Sequence, residues 1–435
     1  MPHSHGFPPD RRADVESVRD RAIDVARLGA LVVVMFGHCA LLLATIDTGG
    51  FRIGNLLGEL PAIQPLTWVA QVMPLFFLAG GAAGAYGWRV EMSWGNWLFR
   101  RAQRLCRPVF WYLAVWGIGL VAVRLTLGPD SALRLGRESV ALLWFIGVYL
   151  VVLAFVPVLT RLRTGRAVTV TVVTLLASAA AMDAVRVVLN DPWAGAANLL
   201  LVWLIPVVIG VGYARRLVGV QFALLAAGAA LVAQIALART GVYDISLVVT
   251  GAERMSNVSP PTLLLGLQCT WMSFAFVAAA GPIRRWAARP RVWRVVAAGN
   301  AGAMTIYLWH IPAIAVAAFT LHAFDLDAYD VGAEGFWALL MLRAGVFAVV
   351  MVVAFRLLSP LEHRPLRWWD AAPVAAGTPS RWAGALVCVG AAAMVLLAKN
   401  GMGDTAGLVA LGVFLAAMGC ARLSAGARRG LVRQA

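Results

Sequence analysis

The segment RLGALVVVMFGH, residues 27–38, begins with an arginine, ends with a histidine and contains no other ionisable side chain. In a helix that turns by about 100° per residue, Arg27 and His38 lie about 20° apart, and Asp24 shares their face within about 40°. The helical rise of about 1.5 Å per residue separates Arg27 from His38 by about 16 Å. A neutral imidazole can take a proton from a hydroxyl near pH 7. The alternative is a histidine that packs by hydrogen-bonding to a neighbouring helix.

A second group of basic residues follows in FRRAQRLCRPVFWY, residues 99–112, which contains Arg100, Arg101, Arg104 and Arg107. Arg101 and Arg104 share a helical face, and guanidinium groups suit the geometry of phosphate. The sequence therefore predicts a phosphate clamp, with an ordinary basic membrane anchor as the alternative. The chain has neither a Walker loop nor a GxGxxG turn for ATP or NAD.

Composition places these residues in a membrane protein. Of the 435 residues, 61% are hydrophobic and only 13% are charged, too apolar for a soluble domain of this length. Ten apolar runs, followed by two more, are long enough to cross a hydrocarbon core of about 30 Å. They lie near 25–46, 66–87, 108–127, 139–160, 167–189, 196–214, 218–238, 262–281, 293–321, 336–358, 382–398 and 404–420. The fold class predicted is an all-α polytopic membrane protein.

The distribution of charge supports twelve spans. The loops on one side, taken alternately from the N-terminus, contain 27 arginines, whereas the opposite loops contain 6 lysines or arginines. The positive-inside rule then places both termini and the arginine-rich loops in the cytoplasm. Much of the net charge of +16 therefore belongs to this face. It suits anionic lipids or an anionic cytosolic ligand, and no soluble basic domain indicates nucleic-acid binding.

The remaining segments add little chemistry. Residues 1–20 are predicted to be a disordered cytosolic tail and residues 421–435 a basic cytosolic tail. Residues 371–381 resemble a linker between the main body, 21–370, and a C-terminal transmembrane hairpin at 382–420. The five cysteines have no CxxC spacing, so neither a disulfide nor a metal site is expected.

Further short motifs follow Asp24, Arg27 and His38 along the chain. They are LFFLAGG (75–81), RRAQRLCRP with Arg101 and Arg104, LLWFIGVYL (142–150) with Trp144, GAMTIYLWHIP (302–312) with Tyr307 and His310, and LEHRP (361–365) with Glu362. In this order they resemble the acyltransferase 3 family of multispanning bacterial membrane O-acyltransferases, over about residues 19–368. Two serines of the family pattern are replaced by Ala79 and Ala303. These losses would suit a catalytically inactive scaffold, although Asp24, Arg27 and His38 are intact.

The resemblance implies an enzyme that moves an acyl group, commonly acetyl, from cytosolic acyl-CoA to a hydroxyl of an acceptor. Acyl-CoA is then the donor substrate, and no permanently bound cofactor is expected. The arginine cluster, Arg100, Arg101, Arg104 and Arg107, is predicted to bind the CoA phosphates. We predict that His38 acts as a general base, with a covalent acyl-histidine as the open alternative. Arg27 would hold substrate or stabilise an oxyanion, and Asp24 would orient Arg27, unless the two only form a salt bridge.

The other candidate substrate contacts are Tyr307, His310, Trp144 and Glu362. Tyr307 and His310 lie three residues apart and either line the site or pack. Trp144 is an acceptor platform or a core residue, and Glu362 contacts the CoA moiety or bridges a nearby arginine.

The acceptor is a glycan, glycolipid or secondary metabolite that the sequence does not specify, and the oligomeric state stays open. The rival function is a twelve-helix transporter or flippase without acyl transfer. The C-terminal hairpin lies outside the resemblance, and we expect a packing, partner or lipid-facing role for it.

Overall fold

The computed structural model describes residues 19–47, 50–250 and 255–426. Most of the two predicted tails, residues 1–18 and 427–435, lies outside these ranges. Within the described residues, twelve helical segments are long and apolar enough to cross a membrane, and the only sheet is a two-stranded hairpin. The chain is therefore an all-α polytopic membrane protein, which confirms the predicted fold class.

The elements are numbered here in chain order. The N-terminal half contains α1 (Arg21–Leu41), β1 (Leu42–Asp47), β2 (Gly50–Asn55), α2 (Leu56–Glu59), α3 (Thr67–Ala70), α4 (Met73–Tyr86), α5 (Trp94–Leu127), α6 (Pro129–Val140), α7 (Leu143–Leu153), α8 (Val156–Leu159), α9 (Gly165–Leu189) and α10 (Asn198–Ala214). The C-terminal half contains α11 (Val220–Ala238), α12 (Leu263–Ala287), α13 (Pro290–Ala301), α14 (Ala303–His322), α15 (Phe336–His363), α16 (Gly377–Asn400) and α17 (Thr405–Gly426). Short 3-10 helices cover Pro61–Leu66 and Pro192–Gly195.

Asp20, the residue before α1, joins four elements on one side of the bundle. Its carboxylate caps α1 by accepting from the Ala22 N–H, and it accepts the hydroxyls of Tyr213 at 2.6 Å and Tyr86 at 3.2 Å. It also pairs with Arg284 at 3.3 Å. Burial alone would raise the pKa of the Asp20 carboxyl, but hydrogen bonds from Tyr213 and Arg284 outweigh burial and lower it. We call this side, where α1 begins and α4, α10 and α12 end, the arginine face.

The first span ends earlier than its apolar run. The sequence predicts a span to residue 46, but α1 stops at Leu41 and the chain continues into β1, which pairs with β2 in antiparallel register from Leu42↔Asn55 to Asp47↔Gly50. Strand pairing satisfies backbone groups that the helix would otherwise have bonded. The end of the bundle that carries β1 and β2 lies opposite the arginine face. There, Asp327 accepts the Thr45 hydroxyl and contacts His322 Nδ1, both at 2.7 Å.

Other predicted runs are interrupted, including 139–160, which divides among α6, α7 and α8. The second span breaks between α3 and α4, where Gln268 of α12 donates to the Trp68 carbonyl at 2.6 Å. The run at 293–321 divides into α13 and α14 at Gly302, where an added Cβ would lie 2.2 Å from the Phe355 ring. Such breaks are tolerated in a membrane when neighbouring helices satisfy or cover the backbone.

The C-terminal hairpin, α16 and α17, is an integral part of the bundle. The backbone of α16 comes so close to α5 that a Cβ on Gly95 would lie 1.6 Å from the Ser380 carbonyl oxygen. The Ser380 hydroxyl also bonds to the Ser93 hydroxyl at 2.7 Å and to Asn96. The segment 371–381, expected to be a linker, is packed: Ala375 is buried and its N–H donates to Ala425, and α16 already begins at Gly377.

The contact between α5 and α16 gives a matched test of this packing. Gly95→Ala should push α16 away from α5 and lower the free energy of unfolding by about 1–3 kcal/mol, as overpacking does. Gly412→Ala, in α17, meets nothing within 4 Å and should leave stability unchanged or slightly raised. Thermal unfolding in detergent measures both variants. Equal melting temperatures would contradict the close packing of the hairpin.

Candidate active site

A pair of histidines lies at the centre of the candidate site. His38 on α1 and His310 on α14 approach with 2.9 Å between His38 Nδ1 and His310 Nε2. Their rings are nearly parallel, with an interplanar angle of 4° and centroids 5.2 Å apart. His310 is fully buried and His38 is half-buried. Two of the predicted site residues, 272 positions apart in the sequence, are therefore in direct contact.

The second nitrogen of His310 determines the direction of this hydrogen bond. His310 Nδ1 lies 2.7 Å from the carbonyl oxygen of Tyr307, which can only accept, so Nδ1 carries the hydrogen. In the neutral ring Nε2 then accepts, and His38 Nδ1 must donate to it. This leaves a lone pair on His38 Nε2, which has no hydrogen-bond partner within the described ranges. The unengaged nitrogen of the pair is the one that can act as a base or nucleophile.

The helix that carries His310 is fixed at its start. Glu362, at the end of α15, accepts from the backbone N–H of Thr305 at 2.9 Å and from its hydroxyl at 2.7 Å. This carboxylate caps α14 where its N–H groups lack helical partners. The Tyr307 hydroxyl donates to the Leu142 carbonyl. The structure thus places Glu362 and Tyr307, both predicted substrate contacts, in bonds that position α14.

Asp24 and Arg27 lie on the same helix as His38 but nearer the arginine face. Arg27 Nη1 is 3.9 Å from the Asp24 carboxylate, which also pairs with Arg19 at 2.5 Å. Asn300 donates to the Asp24 carbonyl oxygen at 2.9 Å. The unbroken α1 keeps Arg27 about 16 Å from His38 along the helix axis. The structure therefore joins Asp24 to Arg27 and does not join either of them to His38.

Of the four clustered arginines of α5, two are fixed by contacts within the protein and two are exposed to solvent. The Arg101 guanidinium stacks 3.7 Å from the Trp97 ring centroid and reaches the Gly84 carbonyl of α4 at 3.5 Å. Arg107 pairs with Asp370 at 3.2 Å. These contacts fix two of the four guanidinium groups before any ligand arrives.

Arg100 and Arg104 are exposed and make no ion pair within the described part of the chain. They are therefore the two members of the cluster with all their donors available to a soluble anion.

Trp144 belongs to an aromatic wall rather than standing alone. Its ring is 5.9 Å from Trp203, which stacks on Phe77 at 4.6 Å. The neighbouring Phe145 lies 5.4 Å from Tyr307. The wall connects α7 and α10 to the helix that carries His310.

One buried arginine beside the pair was assigned no role from the sequence. Arg343 of α15, 2% exposed, donates from Nη2 to the Cys39 carbonyl at 2.7 Å. Cys39 follows His38, so this guanidinium caps a carbonyl at the end of α1, where a cation is favourable. Its Nε is buried without a partner among the described residues. The available signal was an arginine inside an apolar run, which is rare and usually functional in membranes.

A family model matches most of the chain. The model of the acyltransferase 3 family, described as an acyltransferase domain, matches residues 20–359. The chain belongs to the acyltransferase 3 family. No curated protein and no solved structure matches the chain. The match includes both histidines, the arginine cluster and Arg343, and it ends before the C-terminal hairpin, so this family member is a membrane acyltransferase with two additional packed helices.

Proposed function

We propose that this acyltransferase transfers an acyl group, acetyl in the simplest case, from acyl-CoA to a hydroxyl of a glycan, glycolipid or secondary metabolite. The observation that carries the proposal is the hydrogen-bonded chain from His38 Nδ1 through His310 to the Tyr307 carbonyl. It orients His38 and leaves its Nε2 as the available base, in the way that an orienting group serves a catalytic histidine elsewhere.

In the proposed reaction the acceptor oxygen attacks the thioester carbonyl while His38 Nε2 removes the hydroxyl proton. The carbon–oxygen bond forms, and the collapse of the tetrahedral intermediate breaks the carbon–sulfur bond. The proton then passes from His38 to the departing CoA thiolate. During the reaction the positive charge on His38 is stabilised because its Nδ1–H points at the lone pair of His310.

The donor is proposed to bind at the arginine face. Arg100 and Arg104 offer unpaired guanidinium groups for the CoA phosphates, and Arg101 is held beside them against Trp97. The pantetheine arm would then run along the face of α1 that carries Arg27 towards His38. In this arrangement Arg27, oriented by Asp24, is a guiding cation rather than a group at the reacting carbonyl.

The acceptor is proposed to arrive from the opposite face. Arg343 and the polar contacts among Thr45, His322 and Asp327 lie beyond His38 on that side. The aromatic wall that includes Trp144 flanks the helix of Tyr307 and His310, where it can support an acceptor ring. We infer from the positive-inside rule that the arginine face is cytosolic, in the plasma membrane of a bacterial cell.

The two ends of the site should separate in kinetics. Arg104→Ala should weaken acyl-CoA binding by about 10–100-fold, because a lost phosphate contact removes a charge-assisted hydrogen bond, whereas saturating donor restores most of the rate. His38→Ala should leave donor affinity nearly unchanged and slow the single-turnover rate by about 10²–10⁴-fold. Both are measured in nanodiscs with acyl-CoA and a hydroxyl acceptor, or by acyl-CoA hydrolysis.

Arg163→Ala is the matched control, since Arg163 is another exposed arginine, in the loop between α8 and α9. It should change neither parameter. Normal turnover by His38→Ala would make His38 a packing residue and would contradict its role as the base, whereas the absence of any acyl transfer by the wild-type protein would favour the transporter.

The inferred orientation has its own test. Reporter fusions at residues 330 and 430 should lie on opposite sides of the membrane, with residue 430 in the cytosol, because three of the twelve candidate spans lie between them. Fusions that report the same side would contradict the twelve-span arrangement.

A further inference from the structure

A groove lies between α5, α17 and the segment that follows α15. It has a volume of about 530 Å³ and is open on one side, a size in the range of ligand pockets. Phe110, Leu415 and Met418 form its apolar lining, and Arg367 and Trp368 lie at its rim. None of these elements carries His38 or His310, although α5 also carries the arginine cluster proposed to bind the donor.

The open side of the groove faces the outside of the bundle. Leu415 of α17 lines the groove and is also exposed at 48%, next to a stripe of exposed apolar residues on the same helix. Trp368 is exposed at 56% beside Arg367. An apolar channel below an exposed tryptophan and an arginine is the arrangement found at the boundary between hydrocarbon and headgroups.

Positive charge collects at the head of this groove. Arg422, three residues after Gly419 in the groove lining, is only 8% exposed and donates from Nε to the Trp368 carbonyl at 2.8 Å. Its Nη1 is buried with no partner within the described ranges. A buried guanidinium whose N–H donors lack partners destabilises the fold unless an anion or another acceptor binds them.

The local carboxylate does not neutralise this charge. Asp370 is already bound by the Arg107 guanidinium and by the Leu366 N–H, which share one of its oxygens. Arg367 and Arg422 form no ion pair in the part of the chain that the structure describes. The Arg367 guanidinium therefore lines the apolar groove without an ion pair, and the buried Arg422 guanidinium lies next to it, bonded to the Trp368 carbonyl.

We propose that this groove is a binding site for one anionic phospholipid, with an acyl chain against Phe110, Leu415 and Met418 and the phosphate on Arg367 and Arg422. The lipid phosphate accepts hydrogen bonds from Arg422, and the bound lipid holds α17 and the segment after α15 against α5. A lipid is favoured over a soluble phosphate because the groove is apolar and opens to the outside of the bundle. The inference does not depend on the acyl-transfer reaction.

Native mass spectrometry of the full chain tests the site with two probes, palmitoyl-oleoyl phosphatidylglycerol and the matching phosphatidylcholine. The wild-type protein should retain one phosphatidylglycerol and little phosphatidylcholine. Arg367→Gln and Arg422→Gln should each lower retention of phosphatidylglycerol about fivefold, the effect expected for one arginine near a membrane surface. Arg381→Gln is the control, because Arg381 is an exposed arginine at the start of α16 and does not line the groove.

A second measurement locates the lipid without requiring stable variants of the arginines. In phosphatidylcholine vesicles, chain-brominated phosphatidylglycerol should quench tryptophan fluorescence more than equally brominated phosphatidylcholine does. Trp368→Phe should reduce this difference to the part that comes from Trp369, which also lines the groove, whereas Trp382→Phe, a substitution of another exposed tryptophan, should retain it in full.

Three results would overturn the proposal. Equal retention of the two lipids would leave only ordinary lipid contact, and an equal loss in Arg381→Gln would show a diffuse charge effect. Displacement of phosphatidylglycerol by palmitoyl-CoA, with weaker acyl-CoA binding in Arg367→Gln, would assign the groove to the donor. The lipid proposal can fail in each of these ways while acyl transfer through His38 stands, and acyl transfer can fail while lipid retention stands.

Discussion

The hydrogen bond from His38 to His310 is the interaction on which the site depends. Burying two imidazoles in a membrane protein costs free energy unless their nitrogens are hydrogen-bonded. Here three of the four ring nitrogens take part in two consecutive hydrogen bonds. The Tyr307 carbonyl fixes the proton on His310, and His310 in turn fixes the proton on His38. The tautomer that results leaves one basic nitrogen unengaged, on the half-buried histidine of α1.

The surrounding helix ends hold the two rings at this distance. Glu362 caps the start of α14, and Arg343 binds the carbonyl of Cys39 near the end of α1. Asp20 ties the start of α1 to α4, α10 and α12 at the arginine face. Each contact satisfies backbone or side-chain groups that have no water to bond inside a membrane. The same contacts therefore stabilise the bundle and set the geometry of the reactive pair.

Much of the architecture could be predicted from local patterns. Apolar runs located the spans, and the alternation of arginine-rich loops predicts their direction. The end of α1 at Leu41 and the breaks near Gln71 and Gly302 could not be predicted in this way, because they depend on partners distant in sequence. The close packing of α16 on Gly95 is likewise invisible to a search for apolar runs, since a small residue in a helix carries no local signal of its partner.

For the candidate site, the spacing and the family motifs predicted His38, His310 and Glu362 as members. They did not specify that the two histidines bond to each other or that Glu362 bonds to Thr305. Arg343 could be seen in the sequence as an arginine within an apolar run. Its role could not be predicted, because it depends on the contact with the Cys39 carbonyl. Pair geometry between helices is set by tertiary packing and is not encoded in the period of one helix.

The most direct measurement of the central claim is a double-mutant cycle on the single-turnover rate of acyl transfer in nanodiscs, with His38→Ala, His310→Ala and both together. If His310 acts through His38, the double variant should be as slow as His38→Ala alone, within about a factor of two or three, although His310→Ala by itself slows the reaction. Rate losses that multiply in the double variant would show that the two histidines act independently and would contradict the account.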